Sequence, residues 1–197
     1  MLILHSEMEN IDNIVTLAAQ ALRAGKTLLY PTDTIWGLGC DAANAAAVEA
    51  LYSLKRRDPG KSMLVLMLPE WAPADGEAAQ MLRSTGRPTT VVLPVASLPI
   101  GDSLAHNLPA ADGTVGVRIP WGSQFCLGLL RCFGRPIVST SANFAGQPSP
   151  ATRTNIDPEL VKAVGYAVPD LDGVCGLGLG SRIIRLNSDG SLTTLRP

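Results

Sequence analysis

Histidine, paired cysteine, aromatic rings and surplus charge are all scarce in this chain. Two histidines, His5 and His106, among 197 residues leave little room for a histidine-based metal centre or a catalytic triad; both read as surface or turn positions. Cys40, Cys126, Cys132 and Cys175 are scattered, without the paired spacing that holds zinc. A disulfide framework is not expected in an unsecreted chain of this size, so the thiols read as packing residues. The first residues, Met-Leu-Ile-Leu-His-Ser-Glu, lack the basic and long apolar regions of a secretory signal. Apolar residues make up 46% and mean hydropathy is +0.20, yet no apolar run reaches the roughly 18 residues of a membrane span. A cytoplasmic protein with no membrane partner is expected. A formal charge of −1 and a pI near 6.1 argue against holding nucleic acid by bulk charge, which needs many phosphate-neutralising cations.

What the chain does have is an alternation of helical and extended patterns without linker or repeat. It implies an α/β or mixed α+β class and a single domain, 1–197. Leu2 to Leu4 reads as a short edge strand. Ser6 and Glu9 have capping-box spacing, Ile11, Ile14, Val15, Ala18 and Leu22 recur at helical period, and Gly25 gives a stop. Thr27 to Tyr30 is a strand entering a turn-rich polar segment, 31–41, where α/β sheets keep their ligands. Asn44 caps a helix carrying Val48, Leu51 and Leu54. A strand over Met63 to Leu68 follows, then a helix near Gly76 to Leu82, a strand over Thr89 to Leu93, and a loop over Pro99 to Asp112. Thr114 to Ile119 alternates: Val115, Val117 and Ile119 face the core, and Thr114, Gly116 and Arg118 the other side. Gly116 lets a ligand approach that face. Phe125 to Phe133 is a helix ended by Gly134. Pro136 to Val138 feeds Ser139 to Asn143, and a hairpin over 181–195 closes the pattern.

Charge concentrates in one place. Lys55-Arg56-Arg57-Asp58-Pro59-Gly60-Lys61 carries a local +3. Pro59 biases Asp58 away from helical geometry, so the Asn44 helix should end near Arg57. Where the backbone is extended, Lys55 and Arg57 share a face. Between a helix end and a core strand this cluster reads as an anion site; the alternative is a solvated face answering the helix dipole. Gly60-Lys61-Ser62 ends like a Walker A loop, but Lys55 holds the earlier glycine position, so the amide cradle is missing. Gly37-x-Gly39-x-x-Ala42 imitates a dinucleotide fingerprint but lies six residues from Tyr30, too far for the tight first turn. Gly173 to Gly180 reads as a flexible loop.

Three ordered segments resemble the YrdC-like family: Tyr30 to Asp41 (YPTDTIWGLGCD), Lys55-x-Arg57 with Lys61, and Ser139-Thr140-Ser141-Ala142-Asn143. Pro88 to Thr90, Gly116 to Pro120, Gly146 to Pro150 and Thr194 to Pro197 extend the likeness to nearly the whole chain. The resemblance implies a twisted mixed β-sheet flanked by helices, with an open basic cavity. It implies an L-threonylcarbamoyladenylate synthase, a nucleotidyltransferase that joins L-threonine, bicarbonate or carbon dioxide, and ATP, and releases pyrophosphate. The product serves threonylcarbamoyl modification of tRNA adenosine beside the anticodon, so tRNA or downstream transferase proteins are implied partners. Carried over by motif, Lys55, Arg57, Ser141 and Asn143 are the catalytic signature. Arg57, Lys61, Thr114, Ser141, Ser149 and Arg196 fall at ATP positions, and Thr34, Arg118, Ser139 and Ser181 at threonine positions. Mg2+ would arrive with ATP rather than in a protein cage.

The residue chemistry fits independently. An adenylyl transfer needs positioning and charge neutralisation more than covalent help; Arg57 suits a forked phosphate contact, and Lys55 and Lys61 suit point charges. Plainer readings stand beside these. Arg118 pairs with Asp112 or another acid, Ser139 to Asn143 is only a self-bonded turn, Arg196 frays, and Trp36 is a cavity wall or core residue. Leu66 stands where many relatives have a threonine-touching histidine. Ser181-Arg182-Ile183-Ile184-Arg185 replaces a common pattern ending in an acid. Rival functions are a non-catalytic RNA-binding or ribosome-maturation paralogue of the same fold, and the carbamoyl-adenylate domain of hydrogenase maturation proteins. The latter has a longer chain and zinc-type cysteine pairs.

Overall fold

The computed structural model describes residues 2–58, 63–171, 176, 178–187 and 189–197, with side chains from Asn10 onward. Its first element is helix α1, Leu2–Arg23, so Leu2 to Leu4 is helical and not a strand. Ile14, Val15, Ala18, Ala19 and Leu22 form its buried stripe, the helical period that draws the segment onto the core. It ends in a Schellman motif. Gly25 takes φ +72, its N–H donates to Leu22 O at 2.9 Å, and Lys26 N–H donates to Ala21 O at 3.0 Å.

Strand β1, Leu28–Tyr30, turns back into β2, Gly37–Asp41, and the two pair antiparallel. The second half of the supposed turn segment is therefore extended chain. The other strands are β3 (Leu64–Leu66), β4 (Thr89–Pro94), β5 (Thr114–Arg118), β6 (Ile137–Ser141), β7 (Tyr166–Ala167), β8 (Arg182–Leu186) and β9 (Leu192–Arg196). They form one mixed sheet in the order β7-β1-β2-β6-β3-β5-β4-β8-β9. Pairs β1/β7, β3/β5 and β4/β8 are parallel and the others antiparallel. The remaining helices are α2 (Ala45–Lys55), α3 (Gly76–Arg83), α4 (Gln124–Phe133) and α5 (Pro158–Ala163). Of these, α4 packs on α1, α2 on β2, and α3 on β4.

Register gives the sheet two unlike faces. Cys40, Val138, Val65, Val117, Val91 and Ile184 stand in one row across six strands, and all are buried in the core. One residue along each strand, Gly39, Ser139, Leu64, Gly116, Val92 and Arg185 form the neighbouring row. Side chains alternate with period two, so this second row looks the other way. It carries the polar groups.

Helix α2 begins as expected, Asn44 Oδ1 accepting from Ala47 N–H at 3.1 Å. Its end differs. The helix stops at Lys55, and Arg56 takes the left-handed conformation at φ 51, ψ 43. Arg56 N–H donates to Ser53 O and Arg57 N–H to Tyr52 O, a Schellman closure built on a non-glycine residue. The left-handed backbone costs about 1 kcal/mol. The Arg56 side chain answers it by lying 4.2 Å over the Phe144 ring and pairing with Glu159 at 2.6 Å. The stop therefore comes from this turn and precedes any influence of Pro59, which lies outside the described residues.

Candidate functional site

Against the polar face lies a cavity of about 360 Å³, within the usual range for a small-molecule site. Of the expected residues, Thr34, Arg57, Thr114, Arg118, Ser139, Ser141, Ser181 and Arg196 line it. Its lining brings together the guanidinium-bearing side chains of Arg57, Arg118, Arg185 and Arg196, with no carboxylate among the described lining residues. Gly116 forms part of the floor. A Cβ there would meet Thr90 Cγ2 at 3.0 Å, so the missing side chain keeps the floor low.

Arg118 is the most buried of these cations, at 2% exposure. Its Nη1 donates to Asp33 Oδ1 at 2.5 Å, and Asp33 is itself buried. Its Nε is buried with no partner. The plainer reading of Arg118, a pair with Asp112 or another acid, holds in its second form: the acid is Asp33, in the turn between β1 and β2. A buried guanidinium held on one side and unpaired on another is a poised anion receptor, since an orphaned buried donor is costly until it finds an acceptor.

Hydroxyl groups surround it with defined polarity. Tyr30 Oη donates to Ser139 Oγ at 2.8 Å, which leaves the Ser139 proton to be given elsewhere. Burial pushes the Tyr30 phenol far above its ordinary range, so it remains a donor. Thr32 Oγ1 donates to Ile35 O at 2.7 Å and lies 2.9 Å from Thr34 Oγ1. With its proton so used, Thr32 accepts from Thr34, whose oxygen is left as an acceptor. Ser181 Oγ and Thr90 Oγ1 are 2.8 Å apart and both residues are buried.

Arg196 is anchored rather than frayed. Its Nε and Nη2 both donate to Ser181 O, at 2.8 and 2.6 Å. Burial, then the nearby Arg118 charge, lower its pKa from the ordinary guanidinium value. The larger effect is the loss of hydration, and the smaller is a second cation on the same wall.

Lys55 and Arg57 do not share a face. Lys55 closes the helix with its side chain turned inward, 1% exposed, and its Nζ donates to Ser141 O at 2.5 Å and Asn143 O at 2.8 Å. Its own carbonyl accepts from Ala145 N–H at 2.9 Å. Lys55 thus clamps the chain leaving β6 from both ends. Burial, and secondarily the Arg57 charge, lower its pKa from 10.5 to about 8. Arg57, past the left-handed turn, lines the cavity.

The expected quartet of Lys55, Arg57, Ser141 and Asn143 is accordingly divided. Arg57 and Ser141 line the cavity, while Asn143 and Ser149 line a neighbouring hollow beyond the end of β6, bounded also by Phe144, Gln147 and Glu159. The reason is local. Asn143 Nδ2 donates to Phe144 O at 2.8 Å and Gln147 O at 2.7 Å, turning the carboxamide into its own loop, with Oδ1 buried and unpartnered. The self-bonded-turn reading holds for Asn143; Ser139 and Ser141 belong to strand β6. Lys61 and Cys175 lie outside the described residues, as do 173, 174 and 177. Trp36 and Leu66 are core residues, Cys40 and Cys126 are buried thiols outside any disulfide, and His106 is exposed.

Sequence reasoning missed Asp33, Tyr30, Thr90 and Arg185. Alternation along β4 and β8 would have found the last two once the strands were aligned. Asp33 and Tyr30 act across the fold and leave no periodic signal.

Comparison with known proteins finds relatives over most of the chain. A threonylcarbamoyl-AMP synthase of Stenotrophomonas maltophilia is 35% identical over 167 residues, covering 81% of this chain and 86% of that protein. One of Chromohalobacter salexigens is 35% identical over 179 residues, covering 85% and 89%. The crystal structure of P. abyssi Sua5 complexed with L-threonine superposes with a TM-score of 0.79 at 27% identity; the match covers 93% of this chain but 53% of the Sua5 chain. The Sua5/YciO/YrdC family model, described as telomere recombination, matches residues 20–197. With that match over most of its length, the chain belongs to the Sua5/YciO/YrdC family.

Proposed function

We propose that this protein is a threonylcarbamoyl-AMP synthase, joining L-threonine, bicarbonate or carbon dioxide, and ATP for the threonylcarbamoyl modification of tRNA adenosine. One observation carries the reading: a single cavity holds the half-paired guanidinium of Arg118, ringed by oriented hydroxyls, together with three further arginines. An amino acid and a nucleotide each find their complement there.

In this reading the threonine carboxylate is taken by Arg118, whose buried Nε has no partner in the protein, with Thr34, Ser139 and Ser181 supplying hydroxyl contacts around the amino acid. Carboxylation of the threonine amine gives a carbamate. A carbamate oxygen attacks the α-phosphorus, the bond between that phosphorus and the α,β-bridging oxygen breaks, and pyrophosphate leaves with the electron pair. Arg57, Thr114, Ser141 and Arg196 bind the nucleotide and neutralise charge that shifts toward the leaving group. Lys61 and Ser149 complete the nucleotide set, and Asn143 reaches substrate once its loop reorganises. Lys55 holds the β6 exit rather than meeting the reactants. Mg2+ comes with ATP, as part of the substrate. The enzyme works as a nucleotidyltransferase in the cytoplasm, residues 1–197 act as one unit, and tRNA or a tRNA-modifying transferase receives the product.

Incubation of purified protein with ATP, bicarbonate and each amino acid in turn, with detection of pyrophosphate and of the carbamoyl adenylate, tests the reading. Threonine-dependent formation of both supports it. Retention of RNA with no turnover would overturn it in favour of a binding paralogue.

A further inference from the structure

Arg185 is the one arginine of the described cavity lining to which the proposed function assigns no substrate contact. It stands on the cavity face of β8, in register through Val92 and Gly116 with Leu64 and Ser139, and lines the cavity. Its Nη1 donates to Asp112 Oδ2 at 3.0 Å. Thr114 Oγ1 donates to Oδ1 of the same carboxylate at 2.6 Å. Arg185 is therefore one carboxylate away from a residue that the proposed function assigns to the nucleotide. Its Nε is buried with no partner.

The contact with Asp112 is a weak tether, since the two side chains are 39% and 45% exposed and ion pairs so exposed hold loosely. A phosphate oxygen offers Arg185 a forked acceptor that a shared aspartate does not. Position decides which phosphate. Thr114 lies four residues along β5 from Arg118, about 13 Å at the usual strand rise. Arg185 lies two strands across from Gly116, about 10 Å. A nucleotide whose α-phosphorus meets an amino acid held at Arg118 directs its leaving group away from that residue, toward the wall where Arg185 stands.

We infer that Arg185 binds the β,γ end of the nucleotide's phosphate chain and then the departing pyrophosphate, with Asp112 as the resident counter-ion it leaves when phosphate arrives. The inference rests on the proposed function and adds a polyphosphate contact to it. AMP, lacking those phosphates, does not reach Arg185.

Calorimetric titration of the whole chain at fixed ionic strength tests this, using the β,γ-imido analogue of ATP, pyrophosphate and AMP against the wild type, Arg185→Gln and Arg185→Lys. For Arg185→Gln, analogue and pyrophosphate binding should weaken roughly tenfold or more, the worth of a charge-assisted hydrogen bond, while AMP binding stays within about twofold. Arg185→Lys should recover part of the loss. Unchanged analogue affinity, or AMP weakened as much as the analogue, overturns the inference while the synthase reading stands. A wild-type chain that binds neither the analogue nor AMP refutes the synthase reading itself. Thermal unfolding of each variant, expected to match the wild type because the pair is exposed, separates lost contact from lost fold.

Discussion

Replacing Lys55 by methionine keeps the unbranched stem but removes the terminal ammonium and its charge, which makes it a direct probe of the clamp between α2 and β6. In the folded protein the lysine pKa falls from 10.5 to about 8, because the ammonium is buried with the Arg57 charge nearby. The unfolded chain keeps the higher value. Below pH 8 both states are protonated and pH has no leverage through this group. Between pH 8 and 10.5 the unfolded state holds a proton that the folded state has released, so folded stability rises with pH by up to about 1.4 kcal/mol per unit. The full gain is about 3 kcal/mol. Tyrosine and cysteine titrations are common to wild type and variant and cancel in the difference. Urea denaturation of both proteins from pH 7 to 10.5 should therefore give a wild-type-minus-Lys55→Met stability that is flat up to pH 8 and then climbs. At pH 7 the variant loses the donors to Ser141 O and Asn143 O but sheds a buried charge, so its stability should change by less than about 3 kcal/mol. Its turnover should fall about a hundredfold, the effect of a misplacement of about 1 Å at a reacting site. A stability difference independent of pH, or full turnover in the variant, would refute the clamp.

Arg118→Ala strands the Asp33 carboxylate in the core and should destabilise by about 3–5 kcal/mol; in chemical denaturation, the double change Arg118→Met with Asp33→Leu should recover much of that without restoring threonine-dependent pyrophosphate release. Gly116→Val fills the cavity floor against Thr90, so nucleotide binding by calorimetry should fall at least tenfold while circular dichroism stays native. Arg56→Gly relieves the left-handed turn but gives up the Phe144 and Glu159 contacts, so its stability should stay within about 1 kcal/mol of wild type. Arg56→Ala loses the contacts and keeps the strain, and should unfold at lower denaturant than Arg56→Gly.

Local chemistry was legible where it decides local structure. The Asn44 and Gly134 caps, the alternation of β5 and the terminal hairpin all follow from residues within a few positions of one another. Leu2 to Leu4 misled because three apolar residues fit either a strand or a helical stripe, and only the longer periodic segment behind them decides. Gly37 to Asp41 misled because glycines usually punctuate, yet here they let β2 pass close to Tyr30 and Val138. In the candidate site, the side chains on β5 could be oriented from period alone, whereas β6 runs on through Ser141, beyond the strand expected at 136–138. Lys55 could not: its direction depends on Arg56 adopting a conformation that arginine seldom takes, and on carbonyls 86 and 88 residues away. Asp33 as the partner of Arg118 is likewise a contact between positions 85 apart.

The two rows of side chains that alternate across the sheet make its central strands unusually intolerant of slippage. A one-residue slip of β5 against its neighbours would carry Val115 and Val117 onto the wet side and drive Thr114 and Arg118 into the packed interior in the same stroke. Heritable changes in this protein should therefore accumulate as swaps in place, with gains and losses of length confined to the connections between strands. A comprehensive scan of variants would trace the register as a two-residue beat, positions selected for stability alternating with positions selected for turnover.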